Sequence, residues 1–208
     1  MKVAAIVPAY NEEMTIGSVV SVIRKWCPDE VIVVDDGSSD RTAEIARNAG
    51  ARVISLETNV GKGGAMKAGA ESTDADVVVF IDADLTGLTC EHLTQLAAPV
   101  LNGEADMTVG VFEDGRFATD FAQKIAPFLS GQRAMLRRIV LEVPGLETSR
   151  YGVEMILSRH AEKEALRVRK VELKHLAQVT KEEKRGFIRG FRARMRMYWE
   201  IIRTTRGT

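Results

Sequence analysis

Asp82 and Asp84 stand one residue apart at the end of Val77-Val78-Val79-Phe80-Ile81-Asp82-Ala83-Asp84-Leu85-Thr86. In extended geometry, side chains two residues apart point the same way. Two carboxylates on one side repel unless a cation lies between them. A hard divalent ion, Mg2+ or Mn2+, holding a phosphate is the economical chemistry for such a pair. The plainer alternative is an acidic turn that caps the next helix.

Three other stretches carry groups suited to a nucleotide. In Pro8-Ala9-Tyr10-Asn11-Glu12-Glu13, Tyr10 offers a face to a nucleobase and Glu12 a carboxylate to a base or ribose, with helix capping by Asn11 as the alternative. Asp35-Asp36-Gly37-Ser38-Ser39-Asp40 has adjacent acids where capping needs only one side chain. Ring N–H or ribose hydroxyl recognition would use the surplus. Asn59-Val60-Gly61-Lys62-Gly63-Gly64 opens a helix with backbone N–H groups that suit an anion, and Lys62 adds positive charge. It is not a Walker A loop, because Gly63 follows Lys62. A glycine-lined turn with close helix packing is the bland reading.

The elements that must position these groups alternate along residues 1–111. Strand-like runs occur at 3–7, 30–35, 52–56, 77–81 and 107–111, and helical patterns at 16–26, 39–49, 65–72 and 91–101. Repeated βα units predict an α/β fold with a mostly parallel, doubly wound sheet. The polar clusters then collect at the carboxyl ends of the strands, where such sheets bind ligands.

The 208 residues suit one α/β domain with an appendage. Two cysteines, no secretory signal and no run near the roughly 20 apolar residues of a membrane span predict a cytoplasmic protein. The formal net charge is zero but uneven. Residues 159–208 hold 15 Lys/Arg against 6 Asp/Glu, a net of +9, and residues 1–158 hold 14 against 23, a net of −9. A basic C-terminal part suggests an anionic partner.

Val7-Pro8-Ala9-Tyr10-Asn11-Glu12, Val34 to Asp40, Gly61-Lys62-Gly63 and Phe80 to Leu85 resemble family 2 glycosyltransferases of the GT-A fold. The resemblance is strong over residues 1–111. It implies transfer of a sugar from a nucleotide-diphosphate donor with Mg2+ or Mn2+. It implies that Pro8, Ala9, Tyr10, Glu12 and Asp35 or Asp36 hold the nucleoside, with Gly61, Lys62, Asp82 and Ala83 also on the donor. Asp84, with Asp82, would bind the metal. Relatives that make dolichol-phosphate mannose often have a metal-binding Gln two residues past the acid pair, where this chain has Thr86. In this fold class a histidine after the last strand can return to the metal, and His175, after the alternating run 166–173, is that candidate.

Ser130-Gly131-Gln132-Arg133-Ala134 is similar to a stretch of polyprenyl-phosphate sugar synthases. This makes Gly131 and Gln132 substrate-side residues and Arg133 a phosphate partner, against a surface turn. Leu129-Ser130-Gly131 with Tyr151-Gly152-Val153-Glu154 also resembles glucosyl-3-phosphoglycerate synthases, which are retaining. Glu154 would face the acceptor, but the Glu-Asp pair of inverting relatives is absent, since Met155 follows.

The expected layout is a nucleotide-sugar-binding half at 1–111, an acceptor-side half of the same domain at 112–178, and a basic amphipathic helix at 179–208. In that tail Phe187, Ile188, Phe191, Met195, Tyr198, Trp199 and Ile202 fall within about 120° of arc, with arginines beside them. Such a face predicts either membrane-surface contact through 186–203 or docking on protein, including a homodimer. A lipid phosphate or a small soluble acceptor such as phosphoglycerate would fit these alternatives. A nucleotidyltransferase would need a basic glycine-rich loop after the first strand, which Pro8 to Glu12 does not supply. Nucleic-acid binding by the tail would leave the acids without a role, so no nucleic-acid partner is expected.

Overall fold

The computed structural model describes residues 1–26, 29–112, 130–149 and 152–178. Residues 113–129 of the acceptor-side half, Tyr151 and the tail helix expected at 179–208 lie outside the described residues.

The strands are β1 (Val3–Ala9), β2 (Glu30–Asp35), β3 (Arg52–Ser55), β4 (Val77–Phe80), β5 (Leu85–Thr86), β6 (Met107–Phe112), β7 (Arg133–Leu136), β8 (Val168–Leu173) and β9 (Ala177–Gln178). The helices are α1 (Ile16–Trp26), α2 (Thr42–Asn48), α3 (Lys62–Glu71), α4 (Cys90–Leu101), α5 (Arg137–Glu142) and α6 (Val153–Lys163). Among the described residues, seven strands form one sheet in the order β3-β2-β1-β4-β7-β6-β8, and β5 pairs with β9 in a separate ribbon. β7 is antiparallel to both neighbours, whereas the pairs β1–β2, β1–β4, β2–β3 and β6–β8 are parallel. The sheet is therefore mostly parallel and doubly wound, as in the GT-A fold.

Side chains alternate between the two faces of a strand, and the core divides accordingly. Ala5, Val7, Val31, Val33, Val77 and Val79 pack with Ile16, Val20, Ile23, Leu93 and Leu96 of α1 and α4. Ala4, Ile6, Ile32, Val34, Val78 and Phe80 pack on the other face with Met66, Ile139, Val140, Val153 and Leu157 of α3, α5 and α6. Strands covered on both faces need continuous apolar runs, and all four residues of β4 are buried.

One expectation requires correction. β4 stops at Phe80, and Ala83 and Asp84 lie in a turn, so the acids are not two residues of one extended strand. Residues 130–134 are not the surface turn weighed as the alternative to a substrate-side segment. They enter β7, which lies between β4 and β6 in the sheet interior. In addition, α3 begins at Lys62, three residues before the expected start, because the chain enters it through Gly61 at φ 91°.

Candidate functional site at the carboxyl edge of the sheet

The loops after β1 and β2 hold each other. Asn11 donates its N–H to Ser38 Oγ at 2.9 Å, and its Oδ1 accepts the Ser39 N–H at 2.9 Å. The Glu12 N–H goes to Thr42 Oγ1 at 2.7 Å. Asn11, at φ 57°, therefore serves as a turn and latch between loops. Tyr10 is left 43% exposed beside this latch. Pro8 and Glu12 are half-buried and Ala9 is buried.

Asp35 and Asp36 are both buried. Asp35 Oδ1 accepts the Ser38 N–H at 3.2 Å. Asp36 takes the N–H groups of Val60 at 2.7 Å and Gly61 at 2.9 Å, one on each oxygen. Of the two acids expected to serve a nucleoside, Asp36 thus clamps the glycine-rich segment through both of its oxygens. The N–H groups of Val60 and Gly61 are thereby bonded, and the Gly63 N–H donates to Ser149 O at 3.0 Å. The glycines also serve packing. A Cβ on Gly63 would collide with Leu146 O and come within 2.8 Å of Ser149 O.

Lys62 sends its ammonium to the acids. Nζ lies 2.7 Å from Asp82 Oδ1 and 2.7 Å from Glu154 Oε1. The three side chains keep only 28%, 13% and 14% of their surface. Burial alone would lower the lysine pKa, but Asp82 and Glu154 outweigh it and hold the ammonium well above the usual lysine range. Gln132, fully buried, donates Nε2 to the other Asp82 oxygen at 2.9 Å, and its Oε1 accepts from Ser130 Oγ at 2.9 Å. Gly131 lies against this pair. A Cβ there would collide with Asp82 Oδ2 and Lys62 Nζ. Gly131→Ala is expected to cost roughly 1–3 kcal/mol from overpacking, checked by urea unfolding. An unchanged midpoint would contradict this packing.

Arg133 corrects an expectation. Its side chain has no exposure, so it cannot form a cationic mouth for a phosphate. Nε donates to Ser130 O at 3.2 Å, and Nη2 donates to Glu154 O at 3.0 Å and Ser158 Oγ at 3.1 Å. Burial pushes its pKa down to about 10 against the opposing pull of Glu154, which leaves it protonated at neutral pH. Arg133 thus fixes the start of α6, the turn that carries Glu154.

Ala83 is buried and Asp84 half-buried, on the turn between β4 and β5. His175 does not join Asp82 and Asp84. The β5–β9 register sets Thr86 against Ala177 and Leu85 against Gln178, so His175 falls at the Gly87 end, away from Asp84. It is exposed at φ 59° and borders a separate cavity of about 380 Å3 with Glu91, His92, Glu172 and Lys174. Among the described residues no group of three His, Cys, Asp or Glu is arranged to hold a metal. A hard dication nevertheless fits the donor chemistry. Mg2+ is commonly held by one or two carboxylates plus substrate phosphates, and Asp84 is the carboxylate on the turn. Asp82, bonded to Lys62 and Gln132, is already neutralised.

The Lys62–Asp82–Glu154 cluster was not legible as a cluster, since Lys62 and Glu154 are 92 residues apart. Nor did any sequence signal mark Ser158 as a partner of Arg133.

Comparison with known proteins places this geometry. The chain is 38% identical over 120 residues to glucosyl-3-phosphoglycerate synthase of Mycobacterium tuberculosis, covering 53% of this chain and 37% of that protein. It is 31% identical over 171 residues to glycosyltransferase AglJ of Haloferax volcanii, covering 73% and 55%. The chain thus spans little more than a third of the length of the curated synthases it matches. Among solved structures, that of the M. tuberculosis synthase in complex with Mn2+, UDP-glucose and phosphoglyceric acid superposes with a TM-score of 0.71 at 30% identity, over 86% of this chain and 72% of that one. The family model described as glycosyl transferase family 2 matches residues 4–197. Since that match runs from β1 to well past β9, the chain belongs to glycosyl transferase family 2.

Proposed function

We propose that this chain is a metal-dependent glycosyltransferase that moves a sugar from a UDP-sugar, with glucose as the first candidate, to a small phosphorylated hydroxy acid such as phosphoglycerate. The observation that carries the reading is the set of charged groups at the carboxyl edge, Asp84 on its turn beside the Lys62–Asp82–Glu154 cluster. It is supported by the resemblance to a synthase that holds Mn2+, UDP-glucose and phosphoglyceric acid.

In this reading the base lies against Tyr10, with Pro8 and Glu12 flanking it and the latched loops fixing their positions. Asp35, at the end of β2, lines the same crevice. Asp84 would hold the metal that accompanies the diphosphate. When bound, Mg2+ or Mn2+ stabilises the charge that gathers on the departing diphosphate. Lys62 supplies the neighbouring positive charge. Glu154, at the first turn of α6, stands on the acceptor side. The acceptor hydroxyl oxygen bonds to the anomeric carbon as the bond from that carbon to the diphosphate breaks, and the hydroxyl proton passes to the departing diphosphate or to solvent.

A lipid-phosphate acceptor has less support, because Arg133 is buried and the basic tail lies outside the described residues. No described helix is long and apolar enough to cross a membrane. A peripheral seat at the inner membrane face through 186–203, a homodimer and a cytoplasmic site of action rest on the sequence patterns given above.

Calorimetric titration with UDP-glucose and other nucleotide-sugars tests the reading. Binding is expected with Mn2+ or Mg2+ and should weaken at least about tenfold in EDTA, since the diphosphate loses its countercharge. Phosphoglycerate should then convert bound UDP-glucose to UDP. If no nucleotide-sugar binds in a metal-dependent way, the proposal fails.

A further inference from the structure

Three successive backbone N–H groups after β1 go to side-chain oxygens of one neighbouring loop. The Asn11 N–H reaches Ser38 Oγ at 2.9 Å, the Glu12 N–H reaches Thr42 Oγ1 at 2.7 Å, and the Glu13 N–H reaches Asp40 Oδ2 at 3.2 Å. Of the three acceptors, Thr42 is the fully buried one. We propose that Thr42, oriented by Asp40, is a positioning residue for the nucleoside end of the donor: it fixes Glu12, and with it Tyr10, and so sets donor affinity rather than turnover. This rests on the reading that a nucleotide-sugar lies against Tyr10 and Glu12.

The direction of the bonds carries the assignment. A hydroxyl has one proton to give and two lone pairs to receive with. Thr42 gives its proton to Asp40 Oδ1, and the same oxygen takes the Thr42 N–H at 3.0 Å. The lone pairs of Oγ1 are thereby turned to the Glu12 N–H. Burial alone would raise the Asp40 pKa, but the bonds from Thr42 and Glu13 outweigh it and hold the carboxyl below its usual range. Asp40 therefore stays an acceptor at neutral pH. Threonines at helix starts commonly spend the hydroxyl on nearby backbone. Here α2 opens at Thr42 without a side-chain cap, and the hydroxyl accepts from a residue 30 positions back in the chain.

Glu12 is held at its other end as well. Buried Thr15 donates Oγ1 to Glu12 Oε2 at 3.2 Å, and Glu12 O accepts the N–H groups of Thr15 at 3.1 Å and Ile16 at 2.9 Å. These contacts tie Glu12 to the start of α1, whereas Thr42 ties it to the loop after β2. Lys62, Asp82 and Asp84 stand on other segments, and none of these bonds reaches them. A segment already fixed in its binding geometry loses less freedom when a ligand arrives. Loosening it therefore weakens the nucleoside end of the site and spares the diphosphate end.

The test is Thr42→Val in the full chain, with binding of UDP and of inorganic pyrophosphate each measured by calorimetry in Mn2+. Valine keeps the shape of the side chain and leaves the Glu12 N–H without its acceptor. UDP affinity is expected to fall about tenfold, the scale of one unmade buried hydrogen bond. Pyrophosphate affinity should stay within about twofold, and so should kcat at saturating UDP-glucose, so that the loss appears in KM. Thr42→Ser, which keeps the hydroxyl, should recover most of the UDP affinity. Unchanged UDP affinity in Thr42→Val, equal weakening for UDP and pyrophosphate, or a loss confined to kcat would overturn the proposal. If Thr42→Val does not fold, Asp40→Asn takes its place. It removes the charged acceptor of the Thr42 proton, and the same split between UDP and pyrophosphate is expected, with unchanged UDP affinity overturning the proposal. Wild type that binds pyrophosphate but not UDP sinks the proposed donor and this inference with it. Wild type and Thr42→Val binding UDP equally well sinks this inference alone.

Discussion

Asp84→Asn is expected to lower kcat/KM for sugar transfer by about 10²–10³, the scale of removing one preorganised electrostatic contact from a developing charge. The substitution keeps the size of the side chain and removes its charge. Asp84 is half-buried on the turn after β4, next to buried Ala83 and Leu85, so the turn itself should persist. Melting within a few degrees of wild type, with metal-dependent UDP-glucose binding lost, is the pattern that assigns Asp84 to the metal–diphosphate. Asp82→Asn should behave differently. Asp82 is bonded to Lys62 and Gln132, and its loss leaves Lys62 with Glu154. A larger loss of metal-dependent binding in Asp82→Asn than in Asp84→Asn would reverse the roles of the two acids.

Much of the sheet was legible because strands buried on both faces must be written as apolar runs. The runs around Ile6, Val33 and Val79 have no other use. The helices α1 and α4 appeared where expected because each buries one face, with Ile16, Val19, Val20 and Ile23 at helical spacing in α1. What failed was local. β7 is four residues long and opens on an arginine, so no pattern distinguishes it from a turn. Its antiparallel place between β4 and β6 is set by tertiary contacts.

At the site, residue types were informative and pairings were not. An acid at a strand end can read a nucleoside or clamp a neighbouring loop, and Asp36 does the second because Val60 and Gly61 present two N–H groups to it. A glycine-rich segment can cradle an anion or permit close packing, and Gly63 does the second. His175 was placed near the acids by the resemblance, in which a histidine after the last strand can return to the metal. The register of a two-residue ribbon decides otherwise, and that register is invisible in sequence.

Removing Arg133 should produce a large loss of stability. Arg133→Ala takes away a fully buried guanidinium and removes a donor from the carbonyls of Ser130 and Glu154, of which Glu154 O keeps the Ser158 hydroxyl at 2.7 Å. A buried acceptor left without its donor, as at Ser130, costs roughly 1–3 kcal/mol, and the vacated volume adds a cavity penalty. A total on the order of 4 kcal/mol is expected, which for a domain of this size lowers the melting temperature by about 10 °C. Arg133→Lys should recover only part of the loss. It keeps a charge but lacks the planar fork that reaches Ser130, Glu154 and Ser158 together. Arg133→Ala melting within 2 °C of wild type, on the scale of a surface substitution, would contradict this role. Activity provides the second readout. Arg133 has no exposed surface and bonds to Glu154 through its backbone, so its effect on transfer must pass through the position of α6. At a temperature where the variant is still folded, turnover should fall more than UDP-glucose affinity, because Glu154 and its ion pair with Lys62 shift while Tyr10 and the latched loops of β1 and β2 stay in place.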